Sequence, residues 1–228
     1  MVNRTNRKLT KDHAYLELKH QVINGELKPD EIIREEQLAS NLEISRTPLR
    51  EAIQRLEMED FLIRQTNGRL KVASANRKEM EEIFLIRSML EGTIARHAAM
   101  RATDRDIRIL NSIQHKIKFS FQEGANQDFV SYGFEFHDYL GEISQLKTFE
   151  KTLEKLRDHS LRYCRLISRF GNWSAQADKE HAFILQKIME KDPDGAEQAM
   201  KDHIFSSLST AVDKLDRLSS NDTKTMGI

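Results

Sequence analysis

The stretch Ile44-Ser45-Arg46-Thr47-Pro48-Leu49-Arg50-Glu51-Ala52-Ile53, running on to Glu59, decides how this chain is to be read. It has the marks of a helix start. Ser45 is a good N-cap type, and its hydroxyl is expected to accept from an early backbone N–H. Pro48 falls in the first turn and has no N–H, which leaves Thr47 N–H as the suitable partner. Leu49, Ala52, Ile53 and Leu56 recur at i, i+3, i+4 and i+7 and form one apolar face. Arg46, Thr47, Arg50 and Gln54 fall mostly on the other side. Cations do not suit the positive end of a helix dipole. Two arginines there make sense when something anionic or base-edged lies in front of them. A recognition helix meets that condition, because it enters the major groove by its N-terminal residues. Arg pairs with guanine or grips phosphate, and Thr and Gln reach base edges or backbone. A solvated helix with a few exposed arginines is the common alternative, and the helix alone does not exclude it.

Its neighbours do. Residues 35–42 read as a short helix with Leu38 and Ala39 apolar, and residues 41–44 make a tight turn. Downstream, Phe61-Leu62-Ile63-Arg64-Gln65 and Leu70-Lys71-Val72 are short β-type runs. Thr66-Asn67-Gly68-Arg69 joins them, and Asn-Gly is a hairpin signal. Helix, turn, helix and a two-stranded wing make a winged helix-turn-helix. The expected DNA-contacting set is Arg46, Thr47, Arg50 and Gln54 on the helix with Asn67, Gly68 and Arg69 on the wing. Lys71 is a further candidate for phosphate or the minor groove.

These residues resemble the GntR family of bacterial transcription regulators. The matching segments are 22–29, Gln37-Leu38-Ala39, 44–57, Phe61-Leu62-Ile63 and Gly68. Three positions depart from the family pattern. Asp30 and Asp60 stand where the family usually has Gly, and Glu36 where some relatives carry a basic, DNA-contacting residue.

Composition narrows the class. The chain has 228 residues, 32% charged and 39% hydrophobic, with three prolines and nine glycines, a mix that favours helix over sheet. Net charge is zero; residues 1–73 hold 13 Lys and Arg against 12 Asp and Glu. Bulk charge therefore gives no argument for nucleic acid, and only local placement does. The single cysteine, Cys164, excludes an internal disulfide framework and suits a reducing interior. Residues 1–10 lack the apolar run of a signal peptide, and no stretch approaches a membrane span. The expected location is cytoplasmic.

In order, residues 1–10 read as a disordered arm and 11–24 as the first helix, stopped by Gly25. The first domain is expected over 11–73. Ser74-Ala75-Asn76 is a linker ending in an N-cap type. Beyond it the periodicity predicts only helices: 77–101, 104–122 capped by Thr103, 128–144, 146–169, 175–191, and one from Pro193 to about Leu218, capped by Asp192. Gly171-Asn172 is an expected break, and 219–228 an expected frayed end. The fold class is thus mainly α, an N-terminal winged helix-turn-helix followed by an all-α bundle over 77–218.

A six-helix bundle behind such a head resembles the FCD effector domain of the FadR subfamily. The residues that carry the resemblance are Arg87 and Glu91, Phe136-His137 with Leu140, Glu180-His181 with Ile184, and Asp192-Pro193-Asp194-Gly195-Ala196 leading to Met200 and His203. Of the eight histidines, His137, His181 and His203 match the family's metal-ligand positions, each on a separate helix. Three imidazoles suit a borderline divalent ion such as Zn, Ni or Mn, and need to be neutral, so affinity is expected to fall below about pH 6.5. The family's fourth ligand is an Asp four residues before the first His; here that place is Gly133. The site is then either a three-His site completed by water or an effector carboxylate, or an empty polar pocket. Arg87 is the carboxylate clamp that the resemblance implies, with an ion pair to Glu91 or another acid as its alternative.

The function expected from all this is a ligand-controlled DNA-binding regulator, a repressor with an activator as the alternative, rather than an enzyme. It is expected to bind a palindromic double-stranded operator as a homodimer and to sense a small carboxylate. A metal-dependent hydrolase and a helical interaction module are the competing classes. Against the hydrolase, no His-Glu-x-x-His motif is present.

Overall fold

A computed structural model describes residues 4–168 and 175–225, with side chains described for 11–168 and 176–216. The chain divides into a unit over Met1–Ala75 and another over Asn76–Ile228.

The first unit contains α1 (Arg4–Ile23), β1 (Ile32–Ile33), α2 (Glu35–Asn41), α3 (Arg46–Met58), β2 (Leu62–Arg64) and β3 (Leu70–Val72). The apolar stripe of α3 is its core: Leu49, Ile53 and Leu56 are fully buried, as are Leu18, Phe61, Leu62 and Val72, and α3 packs on α1, α2 and β2. At the far end of α3, Tyr15 and Lys19 of α1 both donate to Glu59 Oε2, at 2.7 and 2.8 Å, which fixes the angle between the helices. β2 and β3 pair antiparallel with Ile63 opposite Lys71, and Gly68 at φ +80° closes the hairpin. Asn67 Oδ1 accepts from Arg69 N at 3.0 Å, the local bond that lets Asn enter such a turn.

Several details differ from the sequence reading. The wing is part of a three-stranded sheet, because β1 pairs with the other edge of β3 through Ile32–Lys71 and Ile33–Leu70. Two residues are too few to show a period of two, so β1 was not readable. Ser45 does occupy the N-cap position of α3, with φ −75° and ψ 161°, but its side chain makes no capping bond there. α1 begins at Arg4 rather than 11, since no Gly or Pro interrupts the helix formers upstream.

Asp30 and Asp60, where glycine was expected, have φ of +65° and +57°. The backbone needs the left-handed region at both turns, and Asp is one of the few other residues that visits it. Asp30 is also fastened, accepting from Lys71 Nζ at 2.6 Å and Ser74 Oγ at 2.7 Å. Asp60 is exposed and has no such bond among the described residues. Asp60→Gly should therefore stabilise the first unit by up to about 1 kcal/mol, the relief of left-handed strain less the extra chain entropy of glycine. A lower thermal midpoint for the variant would contradict this account.

The second unit is a bundle of α4 (Arg77–Arg101), α5 (Asp104–Gln122), α6 (Asn126–Ser144), α7 (Lys147–Ser168), α8 (Ala175–Met189) and α9 (Pro193–Thr225). α4 is the central element and packs on α9, α6, α7 and α8. Its start is well made: Asn76 Oδ1 accepts from the N–H groups of Lys78 and Glu79. Thr103 and Asp106 form a capping box at α5, and Asp192 Oδ1 accepts from Gly195 N at 2.9 Å ahead of α9. Ile86 of α4 is 41% exposed, and the buried face of the helix includes Met80, Ile83, Phe84, Arg87, Glu91 and Ile94. The last helix runs to Thr225, so the expected fraying over 219–225 is replaced by helix. Arg169 and the break at Gly171-Asn172 lie outside the described residues. Among the described residues no helix is long and apolar enough to cross a membrane.

Candidate regulatory site and DNA-facing surface

The central helix of the bundle carries charge where a core element should be apolar. Arg87 and Glu91, one turn apart on α4, are each 5% exposed, and Arg87 Nε donates to Glu91 Oε1 at 2.6 Å. Burial disfavours both charges, but each partner outweighs that cost for the other. Arg87 and His137 hold the Glu91 carboxyl well below the usual range, and Glu91 holds the guanidinium charged. The guanidinium also lies 5.0 Å from the Phe134 ring and 5.2 Å from the Phe84 ring. The ion pair set against the carboxylate-clamp reading is thus present in the structure.

Three histidines meet beside this pair. His137 of α6, His181 of α8 and His203 of α9 offer ligand atoms all within 4.8 Å of one another. Each imidazole has its Nδ1 turned to an acceptor. His181 Nδ1–H donates to Ala177 O at 2.8 Å, and His203 Nδ1–H to Glu180 Oε2 at 2.9 Å. His137 Nδ1 faces Glu91 Oε2 at 2.5 Å. His181 Nε2 is buried with no partner at all. Phe136 sets its edge against the His181 ring, with centroids 5.4 Å apart. Burial drives the His181 pKa well below the ordinary value, and the neighbouring His203 and His137 add to that. Burial lowers His203 as well, against a raising bond from Glu180. A neutral imidazole with Nδ1 anchored and Nε2 bare, as at His181, is the form a metal ion takes up. The protonation limit expected near pH 6.5 moves lower for His181 and His203 for the same reason.

Gly133 sits where a fourth ligand would stand. A Cβ there would lie 3.5 Å from His181 Nε2, in ordinary contact, so the glycine leaves that side of the imidazole uncovered. A small cavity of ≈ 40 Å³ includes Gly133, His181, His203 and Cys164. Burial pushes the Cys164 thiol up to about 11, which keeps it a neutral wall. A wider cavity of ≈ 500 Å³ between α4, α6 and α7 shares Arg87, Phe134 and His137 with the small one.

In the first unit Arg46, Thr47, Arg50 and Gln54 are exposed along one side of α3, and Asn67, Gly68 and Arg69 are exposed at the wing tip. Sequence reasoning did not foresee that two acids pair with the arginines of this surface. Glu36 accepts from Arg46 Nη2 at 2.6 Å, and Glu35 from Arg50 Nε at 3.1 Å and Arg64 Nη2 at 3.4 Å. It also missed Glu180 and Glu91 as partners of imidazoles. A carboxylate beside a histidine in sequence points elsewhere on its helix, and Glu180 reaches His203 of the next helix instead.

Comparison with known proteins agrees with this architecture. The family model for bacterial regulatory proteins of the gntR family matches residues 10–72, and that for the FCD domain matches 82–206. The chain is 27% identical to the HTH-type transcriptional regulator YdhC of Bacillus subtilis over 83% of this chain and 85% of that protein. It is 30% identical to the Uxu operon regulator of Haemophilus influenzae over 77% and 71%, respectively. Among solved structures, E. coli McbR/YncC superposes with a TM-score of 0.77 at 20% identity, covering 94% of this chain and all of that one, a likeness of fold. A head that presents α3 and a wing, joined in sequence to a helical bundle with a polar pocket at its core, is the build of a ligand-responsive DNA-binding regulator, and the chain belongs to the GntR family of bacterial regulatory proteins, with an FCD domain as its second unit.

Proposed function

We propose that residues 77–218 sense a small carboxylate through a divalent ion, Zn, Ni or Mn, held by His137, His181 and His203, and that residues 11–73 bind an operator. The observation that carries the sensing half is the set of anchored imidazoles around the bare His181 Nε2. The ion fits this donor set, and when bound it supplies positive charge and open coordination positions. The chain's own residues do not supply that charge. Arg87 and Glu91 cancel, and the wide cavity is lined by four cations and five acids. An anion entering it without an ion would be poorly compensated. The small cavity has room for little more than an ion and a donor atom, so the body of a metabolite lies in the wide one. The shared wall of Arg87 and His137 is where one carboxylate oxygen would meet the guanidinium while the other reaches the ion. Glu91 and Glu180 are engaged as imidazole acceptors rather than placed as general bases, which favours sensing over hydrolysis.

Arg46, Thr47, Arg50, Gln54, Asn67, Gly68 and Arg69 are the proposed contacts to DNA. A homodimer acting as a repressor in the cytoplasm would place two such heads on a palindromic operator. The carboxylate changes how they sit, provided it has different affinity for two arrangements. Arg50→Ala should weaken operator binding by roughly 1–3 kcal/mol and relax specificity. A footprint unchanged in that variant would remove the recognition-helix assignment.

The sensing half is tested by a thermal-shift screen of mono-, di- and tricarboxylates on metal-loaded protein, repeated on His203→Ala and Arg87→Lys. Lys keeps the buried charge but not the fork. The expected result is stabilisation of the parent alone. Equal stabilisation of all three proteins rules out the bridge, and hits confined to neutral or cationic compounds rule out the carboxylate class.

A further inference from the structure

The two arginines at the front of α3 are both held by carboxylates from α2, and the two carboxylates are not equivalent. The Glu35 side chain is 22% exposed and accepts from Arg50 and from Arg64 of β2, so it belongs to the frame of the head. The Glu36 side chain is 79% exposed and its partner Arg46 60% exposed, with Nη2 to Oε1 at 2.6 Å. An ion pair this open adds little to stability. A carboxylate on a surface that meets phosphates also weakens binding to any duplex. It is compatible with the major groove only where a base edge offers it an amino group.

Arg46 and Glu36 together present hydrogen-bond donors followed by an acceptor. The major-groove edge of a G·C pair presents the complement: the N7 and O6 acceptors of guanine, then the N4 amino donor of cytosine. An A·T pair presents acceptor, donor, acceptor, and the reversed pairs present their patterns in the opposite order. We propose that Arg46 and Glu36 read one G·C base pair in each operator half-site as a unit, with Glu36 the specificity-determining residue that accepts from cytosine N4. This rests on the DNA-contact reading of Arg46 given above. The bond between the two side chains orients the guanidinium before DNA arrives and sets the order of donors and acceptor. Glu36 thus contributes to discrimination while lowering affinity for unrelated duplex.

The experiment is selection of a randomised duplex library by the full-length protein, followed by titration of the selected duplex and its single-base-pair substitutions. Parent, Glu36→Ala and Arg46→Ala are compared. The parent is expected to prefer G·C at one half-site position by about 10-fold or more. Glu36→Ala should lose most of that preference and bind unrelated duplex more tightly. If Glu36→Ala keeps the parent's preference while Arg46→Ala loses it, Arg46 reads alone and this inference is overturned with the DNA-contact reading intact. If Arg46→Ala binds and discriminates like the parent, the DNA-contact reading of Arg46 fails, and this inference with it.

Discussion

Glu91→Ala should destabilise the helical bundle by about 3–5 kcal/mol, because it leaves Arg87 charged and unpaired in the core. The pair sits on the helix that the rest of the bundle packs around, and both side chains are 6% exposed. The bulk of the effect is the desolvation of a stranded guanidinium, not the strength of the lost bond. Replacing both residues separates these terms. A Glu91→Leu/Arg87→Met double variant should be far closer to the parent than Glu91→Ala, since a buried pair exchanged for apolar groups of similar volume is often neutral. Urea denaturation followed by far-UV circular dichroism reads the midpoints. A midpoint for Glu91→Ala within experimental error of the parent would mean that water reaches Arg87 through the wide cavity, and that the pair is not part of the core. The double variant should also fail to respond to carboxylates while remaining folded, which separates the sensing role of Arg87 from its structural one.

His181→Ala should lower the affinity for the divalent ion by at least about 100-fold, beyond the 10–100-fold usual for removing an orienting partner. Glu180→Gln, which weakens the anchor of His203, should fall within that smaller range. Gly133→Asp should act in the opposite direction. A Cβ fits there, 3.5 Å from His181 Nε2, and the added carboxylate would fill the side of the imidazole that glycine leaves bare. That variant should hold the ion more tightly and respond less to carboxylate, since it occupies the position the effector would take. Elemental analysis of metal-loaded, dialysed protein gives the stoichiometry. The parent's thermal midpoint should rise with the ion, by the equivalent of about 2.7 kcal/mol at 100 times the dissociation constant. Equal metal content in parent and His181→Ala would favour the empty polar pocket.

Much of this was legible along the chain. The stripe Leu49, Ala52, Ile53, Leu56 fixed the buried face of α3 because a helix buries whatever recurs at its period, and that face is fully covered in the structure. Asn67-Gly68 marked the hairpin and Asn76, Thr103 and Asp192 the helix starts, since these are local hydrogen-bond and backbone preferences that need no distant partner. His137, His181 and His203 were singled out by their spacing within the family resemblance, and they do converge.

What lay beyond the sequence depended on which helices become neighbours. β1 exists only because β3 offers a second edge. Ser45 had the chemistry of a cap and does not use it in the folded head. The acids at Glu35 and Glu36, separated in sequence from Arg50 and Arg46, pair with them only once α2 crosses α3. In the bundle the sequence placed the imidazoles but not the orientation of their nitrogens. That is set by Ala177 O one turn away, by Glu180 across a helix boundary and by Glu91 from α4. Helical period determines which residues face inward; tertiary packing alone determined which of those inward-facing polar atoms found a partner and left His181 Nε2 without one, because a hydrogen bond needs distance and direction that no one-dimensional pattern contains.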